Sequence, residues 1–478
     1  MGIFAEKRGR ALMNLSVGHI ISIVITLAAI MALGVISGRQ VKNAADFNTG
    51  GKNAGGLLVA GTITGTLIGG TSTIGTAESA FIYGFSAWWF TLGAAIGCLL
   101  LAAVYARPVR QSDCMTIQEI ISREYGTPAL LVTSVLTGIG IVLNIVAQIL
   151  AANALLSSMF GLSPLLCSLI SIIIMACYGL FGGIKGSGML GLVKLTLLYL
   201  AALVCGGLAL WLPQGGLASF AAALPKQPFF EVFARGAGTD LGVAFNVALG
   251  VISTQTYIQA VMIGKSNRAA VKGCLLAAAL CPPVGLCSTL VGLYMRTNFP
   301  SLAAAEAFPQ FILQFLPAPL AGVALATLLI AVVGTGSGMA LGFGTIISND
   351  IYRQFINRNA DDKRLLTVSR VVILLALVGS AVFTLGNIGS AILSWGSMSM
   401  GLRAVVLLSP MTTALFFPGA IGPKTAIAAS VAGIIVMIIG RFLPLGFDSL
   451  FLGLAVSVIL PAADYVRRRL SGQNKPQA

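Results

Sequence analysis

The sequence predicts an all-α integral membrane protein with about thirteen transmembrane helices, and three observations carry that prediction. Hydrophobic residues fill 57% of the 478 positions and charged residues only 9%, against about 25% charged in ordinary soluble domains; the mean hydropathy is +0.95. The apolar residues arrive in uncharged blocks such as Val17–Gly34, Leu195–Leu212 and Val371–Leu385, several near the roughly 20 residues a helix needs to cross a bilayer. Lys and Arg gather in short connections between the blocks. That is the pattern of the positive-inside rule, and a nucleic-acid-binding face would instead cluster them on one soluble surface. The net charge of +15 therefore reports topology, and no nucleic-acid partner is expected.

The spans, in order, are 15–37, 57–83, 87–106, 128–157, 161–181, 187–212, 240–263, 271–295, 317–345, 367–386, 389–417, 422–440 and 446–465. The first follows Lys7, Arg8 and Arg10, as a signal peptide would. Its apolar run exceeds a signal h-region and lacks a small-residue cleavage site, so it reads as a spanning helix. His19 inside it reads as a packing residue, with a proton relay as the alternative. The connection 213–239, holding Pro213, Pro225 and Pro228, predicts an external loop. The stretch 297–316 contains a short amphipathic segment expected over the outer mouth, and 346–366 is the most charged cytoplasmic segment. Counting Lys and Arg on alternate sides gives 20 against 7, which orients the N-terminus outside and the C-terminus in the cytoplasm. The expected location is a cell membrane of the prokaryotic inner-membrane type, with lipid around the bundle. The chain 1–478 reads as one polytopic domain: a first helix and cytoplasmic loop (1–56), two core segments (57–212 and 240–417) and C-terminal helices with a tail (418–478).

Eight cysteines lie mostly inside apolar segments without CxxC or zinc spacing; each reads as a small hydrophobe rather than a ligand or disulfide partner. The chemistry is expected in broken helices, because transporters place their sites near the bilayer midplane where interrupted helices free backbone groups. Gly61–Thr76 of the second span is such a stretch, rich in Gly, Thr and Ser, although a tightly packed small-residue face would read the same way. The ninth span repeats the signal at Ala331–Gly338, where Thr335 and Ser337 offer hydroxyl oxygens. Asn144 and Gln148 share a face of the fourth span, and Asn246, Ser253, Thr254, Gln255 and Gln259 crowd the seventh. Two cations stand inside spans: Lys194 in the sixth and Arg403 midway along the eleventh. Intramembrane ionisable groups are functional candidates by default; for Lys194 the alternative is snorkelling to the surface. Glu78 reads as a gate or packing partner.

The run Ile68–Gly84 (IGGTSTIGTAESAFIYG) with Ser86–Phe90, the motifs Thr116–Glu119 and Arg123–Gly126, Gly182-Gly183, Gln255–Gln259 and Asn349–Tyr352 together resemble the sodium:solute symporter family, in the right order over most of the chain. The resemblance implies a LeuT-like fold of two inverted five-helix repeats, spans 2–6 and 7–11, with flanking helices. It implies alternating access, no cofactor, and Na+ as the coupling ion. Carried over by position, sodium carbonyls fall on Gly65, Ile68 and Ala331 and the hydroxyl pair on Gly334 and Thr335. Substrate-facing positions fall on Gly69, Ser72 and Thr91, with Asn144, Gln148 and Asn246 nearby. Two departures follow. The family commonly has a Ser-Ser or Ser-Thr pair where this chain has Gly334-Thr335, and a Thr-Asp…Gln pattern where it has Leu190-Gly191 and Lys194. Either Ser337 supplies the missing oxygen and sodium binds, or Lys194 substitutes for the ion and H+ is the coupling ion or transport is sodium-independent.

The expected function is secondary active, cation-coupled symport of a small organic solute. Arg403 suits a carboxylate-bearing solute and the hydroxyl-rich second span a polyhydroxylated one. A sensor with a transporter fold is the alternative outside transport. An enzyme is not expected: there is one His, no HExxH and no paired intramembrane carboxylate. A channel lacks its charge ring or filter repeat.

Overall fold

The computed structural model describes residues 15–38, 54–114, 116–213 and 216–471; the basic residues Lys7, Arg8, Arg10, Arg39, Lys42, Lys52 and Lys475 used in the orientation count lie outside them. No strand occurs among the described residues; one isolated parallel bridge joins Ala54 to Gly264. Helix is the expected answer, because inside a bilayer every backbone N–H and C=O must be satisfied within the segment.

α1 (Val17–Gly38) is followed by α2 (Gly56–Leu67), a wide turn at Thr71–Gly75, and α3 (Thr76–Tyr83). α4 (Trp89–Leu100) continues through Leu101–Tyr105 into α5 (Ala106–Gln111). The amphipathic α6 (Ile117–Tyr125) leads to α7 (Thr127–Phe160) and α8 (Pro164–Trp211). After the short α9 (Leu217–Ala223), α10 (Ala237–Ile252) and α11 (Gln255–Met262) form a span bent by 44° at Ser253-Thr254. There follow α12 (Asn267–Asn298), α13 (Ala307–Phe315), α14 (Ala318–Thr345), which runs on to Ile356, α15 (Asp362–Leu385), α16 (Ile392–Phe416), α17 (Pro423–Gly440) and α18 (Leu450–Leu470).

Nine helices among the described residues are long and apolar enough to span a membrane, ten if the bent α10–α11 pair is one span. Three shorter apolar helices, Val17–Ile30, Gly56–Leu67 and Pro164–Gly179, fall where spans were expected. The fifth and sixth spans, expected as 161–181 and 187–212 with Lys185 in a loop between, are one unbroken 48-residue helix, α8. Gly182-Gly183 therefore does not end a helix. No proline interrupts the stretch, and each glycine costs a helix only about 1 kcal/mol. At 1.5 Å per residue α8 measures ~72 Å, more than twice a ~30 Å hydrocarbon core. The segment 346–366 also differs from the expected loop, since helical turns persist to Ile356 and resume at Asp362.

The core is built by pairwise helix packing: α8 on α14 and α2, α7 on α16 and α14, α12 on α2 and α4, and α10 on α4 and α16. Outside it, α17 and α18 pack on each other and on α16, and α1 lies on α14. Small residues set the closest approaches. A Cβ on Gly65 of α2 would sit 2.8 Å from the Gly191 Cα of α8, so the two backbones touch there. That contact carries Lys194, one turn further along α8, to the C-terminal end of α2.

Candidate functional site: a buried lysine between two helices

The first break is built by sequence and held by side chains. α2 ends at Ile68 in an extended conformation (φ −92°, ψ 97°), leaving the amides of Gly69 and Gly70 without helical partners. Ser72 Oγ accepts from Gly69 N–H at 2.9 Å, and Gln148 Oε1 of α7 accepts from Gly70 N–H at 3.0 Å. Gln148 Nε2 donates to Thr71 Oγ1 at 2.8 Å. Buried amides need such partners, so Ser72 and Gln148 stabilise an unwound backbone. Glycine is required here: a Cβ on Gly69 would run into Thr335 Oγ1, and one on Gly70 would lie 2.9 Å from Val332.

Lys194 is 1% exposed. Its Nζ donates to the carbonyl of Gly65, to the carbonyl of Ala331 at 3.0 Å and to Thr335 Oγ1 at 3.2 Å. An ammonium has three donors, and all three are used. Three of the five positions that the resemblance assigns to sodium thus surround a lysine nitrogen. Gly334 stands beside the side chain, where even a Cβ would touch Lys194 Cδ at 3.6 Å and the Tyr178 hydroxyl at 3.6 Å. Snorkelling is not what this side chain does.

This donor set does not fit a sodium ion. The ion would share three oxygens with an ammonium, and two unit charges about 4 Å apart repel by ~4 kcal/mol at an effective dielectric of 20. Ser337 lends no oxygen, because its Oγ bonds back to Val333 O at 2.7 Å and its Cβ packs under Gly179.

The remaining candidates are spread around this centre. Asn144 is buried with its Oδ1 unpartnered. Asn246 Nδ2 donates to Gly242 O at 2.8 Å, and its Oδ1 presses on Gly401 of α16. Thr91 bonds Trp88 O and packs against Gly285 of α12. Glu78 accepts from Ile392 N–H at 2.9 Å and so caps α16 across the bundle. His19 Nδ1 pairs with Ser16 at the start of α1.

Arg403 is fully buried. Its Nε donates to Ser399 O at 3.0 Å and its Nη2 to Ser399 Oγ at 3.1 Å, while Nη1 meets the Met339 thioether at 3.7 Å. Sequence reading missed Tyr178, which lies in an apolar stretch that looked like core, and gave no role to Tyr257 although it lay in a quoted motif. It also missed the contacts closing the end of the bundle that carries most of the basic connections. There Thr116 Oγ1 donates to Asp350 Oδ1 at 3.0 Å, and Gln255 Oε1 accepts from Ile117 N–H at 3.0 Å. Thr116 and Asp350 lay in quoted motifs, but nothing in sequence pairs positions 234 residues apart.

Comparison with known proteins agrees with this architecture. The "Uncharacterized symporter YidK" of Escherichia coli is 27% identical over 67% of this chain, and that match covers 52% of YidK, so the chain spans about half the length of that relative. The "Sodium/glucose cotransporter" of Vibrio parahaemolyticus is 24% identical over 90% of this chain and 86% of its own. Among solved structures, the substrate-bound outward-open state of a Na+-coupled sialic acid symporter superposes with a TM-score of 0.80 at 16% identity, covering 95% and 98% of the two chains; it shows a LeuT-like fold. The profile of the family described as "Sodium:solute symporter family" matches residues 47–422, so the chain is a multi-span membrane protein belonging to the sodium:solute symporter family.

Proposed function

We propose that the protein is a secondary carrier of a small organic solute in which the Lys194 ammonium takes the place of the coupling sodium ion, so that the proton on Nζ is the coupling charge. The observation that carries this is the three-donor arrangement of Nζ on Gly65 O, Ala331 O and Thr335 Oγ1. Gly65 belongs to the first repeat, and Ala331 and Thr335 to the second, so the ammonium fastens the two halves that alternating access must move. When Nζ loses its proton the attraction and one donor go with it, and one of the three buried oxygens is left without a donor. The repeats are then freer to separate, which couples protonation to opening. Gly334 belongs to the same adaptation: it places no hydroxyl beside the Lys194 side chain.

The solute site of this reading is the non-helical Ile68–Gly70 stretch with Ser72 and Gln148, flanked by Asn144 and Asn246. The basic end of the bundle faces the cytoplasm by the positive-inside rule. Sodium symport, the coupling in the family's name, would require the ammonium to leave its three oxygens first.

The test is uptake and labelled-substrate counterflow in proteoliposomes, with sodium replaced by choline at two pH values. Uptake should persist without sodium and follow an imposed pH gradient. Strict sodium dependence would overturn the lysine reading, and absence of counterflow would overturn the carrier reading in favour of a sensor.

A further inference from the structure

α18 packs on α17 and α16 but does not close against them along its whole length. Toward its C-terminal end a cavity of about 470 Å3 lies between α18, α16, the 417–421 turn and Tyr105, within the roughly 300–1,000 Å3 of small-ligand sites. Its wall is almost wholly apolar, because the hydroxyls around it are engaged with the chain. The Tyr105 hydroxyl pairs with Thr412 Oγ1 at 2.8 Å, and the Tyr125 hydroxyl donates to Thr413 Oγ1 at 2.7 Å. Thr412 and Thr413 donate in turn to Leu408 O and Ser409 O. Such a wall favours hydrocarbon over a polar solute. The cavity also opens sideways: Phe417, Val458 and Tyr465 on its outer margin are exposed, and on a spanning bundle an exposed apolar margin meets lipid tails.

The rim of the cavity is cationic. Val458, Pro461, Ala462 and Tyr465 line it from one face of α18. Arg468 and Arg469 stand three and four residues beyond Tyr465, so that face runs on into positive charge. On the opposite wall Lys424 stands three residues beyond Ile421. Two acids lie here, and both are engaged. Asp464 binds Arg467, Arg468, Thr425 and the Gly422 N–H, and Glu124 accepts from the Gly419 N–H. Lys424 and Arg469 are exposed, and among the described residues no acid pairs with either. This is the end of the bundle that the positive-inside rule places against the anionic cytoplasmic leaflet.

An apolar cavity open to the bilayer, with two unpaired cations at its aqueous rim, is complementary to a molecule with a hydrocarbon chain and a negative headgroup. We propose that this cavity binds an anionic phospholipid, with one acyl chain between α16 and α18 and the phosphate at Lys424 and Arg469. The bound lipid ties α18 to α16, a helix of the core, and so stabilises the bundle. The proposal is independent of the carrier reading and of the role given to Lys194.

The experiment uses the full chain purified in detergent, with palmitoyl-oleoyl phosphatidylglycerol as the anionic probe and phosphatidylcholine of the same chains as the zwitterionic one. Native mass spectrometry counts retained lipid, and thermal unfolding reads stability. Phosphatidylglycerol should be retained as one tight copy and raise the melting temperature, with phosphatidylcholine held at least about fivefold more weakly. Lys424→Gln and Arg469→Gln should each weaken phosphatidylglycerol about fivefold, the share of one basic residue at an anionic membrane surface, and leave phosphatidylcholine unchanged. Ala462→Phe, which fills the cavity from an exposed position, should abolish the tight copy. Glycerophosphoglycerol, the headgroup without its chains, should leave the melting temperature where it is. Retention of neither lipid, equal retention of both, unchanged retention in Ala462→Phe, or an equal rise with glycerophosphoglycerol overturns the proposal. So does a wild-type dimer that Ala462→Phe dissolves with no lipid preference, which would give the cavity to a second copy of the chain. If Ala462→Phe does not fold, the two surface variants Lys424→Gln and Arg469→Gln decide by the same criterion.

Discussion

Lys194 and Arg403 are both cations buried in the middle of one helical bundle, but the protein treats them in opposite ways. Around Lys194 the helices α2 and α14 converge, and every ammonium proton finds an oxygen of the chain. Around Arg403 the oxygens come from its own preceding turn, Ser399, and the outward edge meets sulfur. Ser399 is itself fixed, donating to Gly140 O at 2.5 Å. The first cation is internally complete and can act as a fastener. The second is held by its own helix, with one edge left on a weak acceptor. A buried charge alone therefore does not define a role; the number of donors left over does.

The sharpest break of this comparison is Lys194→Gln. It should abolish pH-driven uptake, a fall of about two orders of magnitude, and lower stability by several kcal/mol, because buried oxygens left without a donor cost about 1–3 kcal/mol each; uptake and thermal unfolding check both. Lys194→Ala combined with Gly334→Ser removes the ammonium and restores a hydroxyl, and should produce a sodium-dependent rise in melting temperature that wild type lacks. Arg403→Met should separate the two cations most clearly: uptake is lost, while stability changes by less than ~1 kcal/mol or improves, as when a buried charge is replaced by a well-packed apolar chain. An equally large loss of stability in Arg403→Met and Lys194→Gln would erase the distinction. Gly69→Ala should cost ~2 kcal/mol or more through its clash with Thr335, with loss of transport. Glu78→Gln is the smallest, a loss of about 1 kcal/mol or less from a weakened cap on α16, with uptake near normal.

Much of the fold was legible because a bilayer punishes polar backbone so heavily that apolar length reads directly as helix. The Gly-rich second span was legible as a break for the same reason, since such a run has no other use in a membrane except close packing. The α8 boundary was not legible. Gly182-Gly183 is read as a stop by local rules, and a helix continues through it in the structure. At the site, the positions Gly65, Ala331, Thr335 and Lys194 were all marked from the chain, but as competing readings. Whether Ser337 or Lys194 supplied the missing group depended on rotamers: Ser337 bonds its own helix, and Lys194 reaches across.

The sequence by itself determined that this chain spans a membrane many times, belongs to the symporter architecture, and carries two uncompensated cations and a missing serine hydroxyl. These are properties of composition and order, which survive without coordinates. Only the tertiary structure decided where the lysine nitrogen goes. Its three oxygens come from residues 129, 137 and 141 positions away, and such distances close only when α2, α8 and α14 pack. The same packing decided that the outward edge of Arg403 meets a thioether.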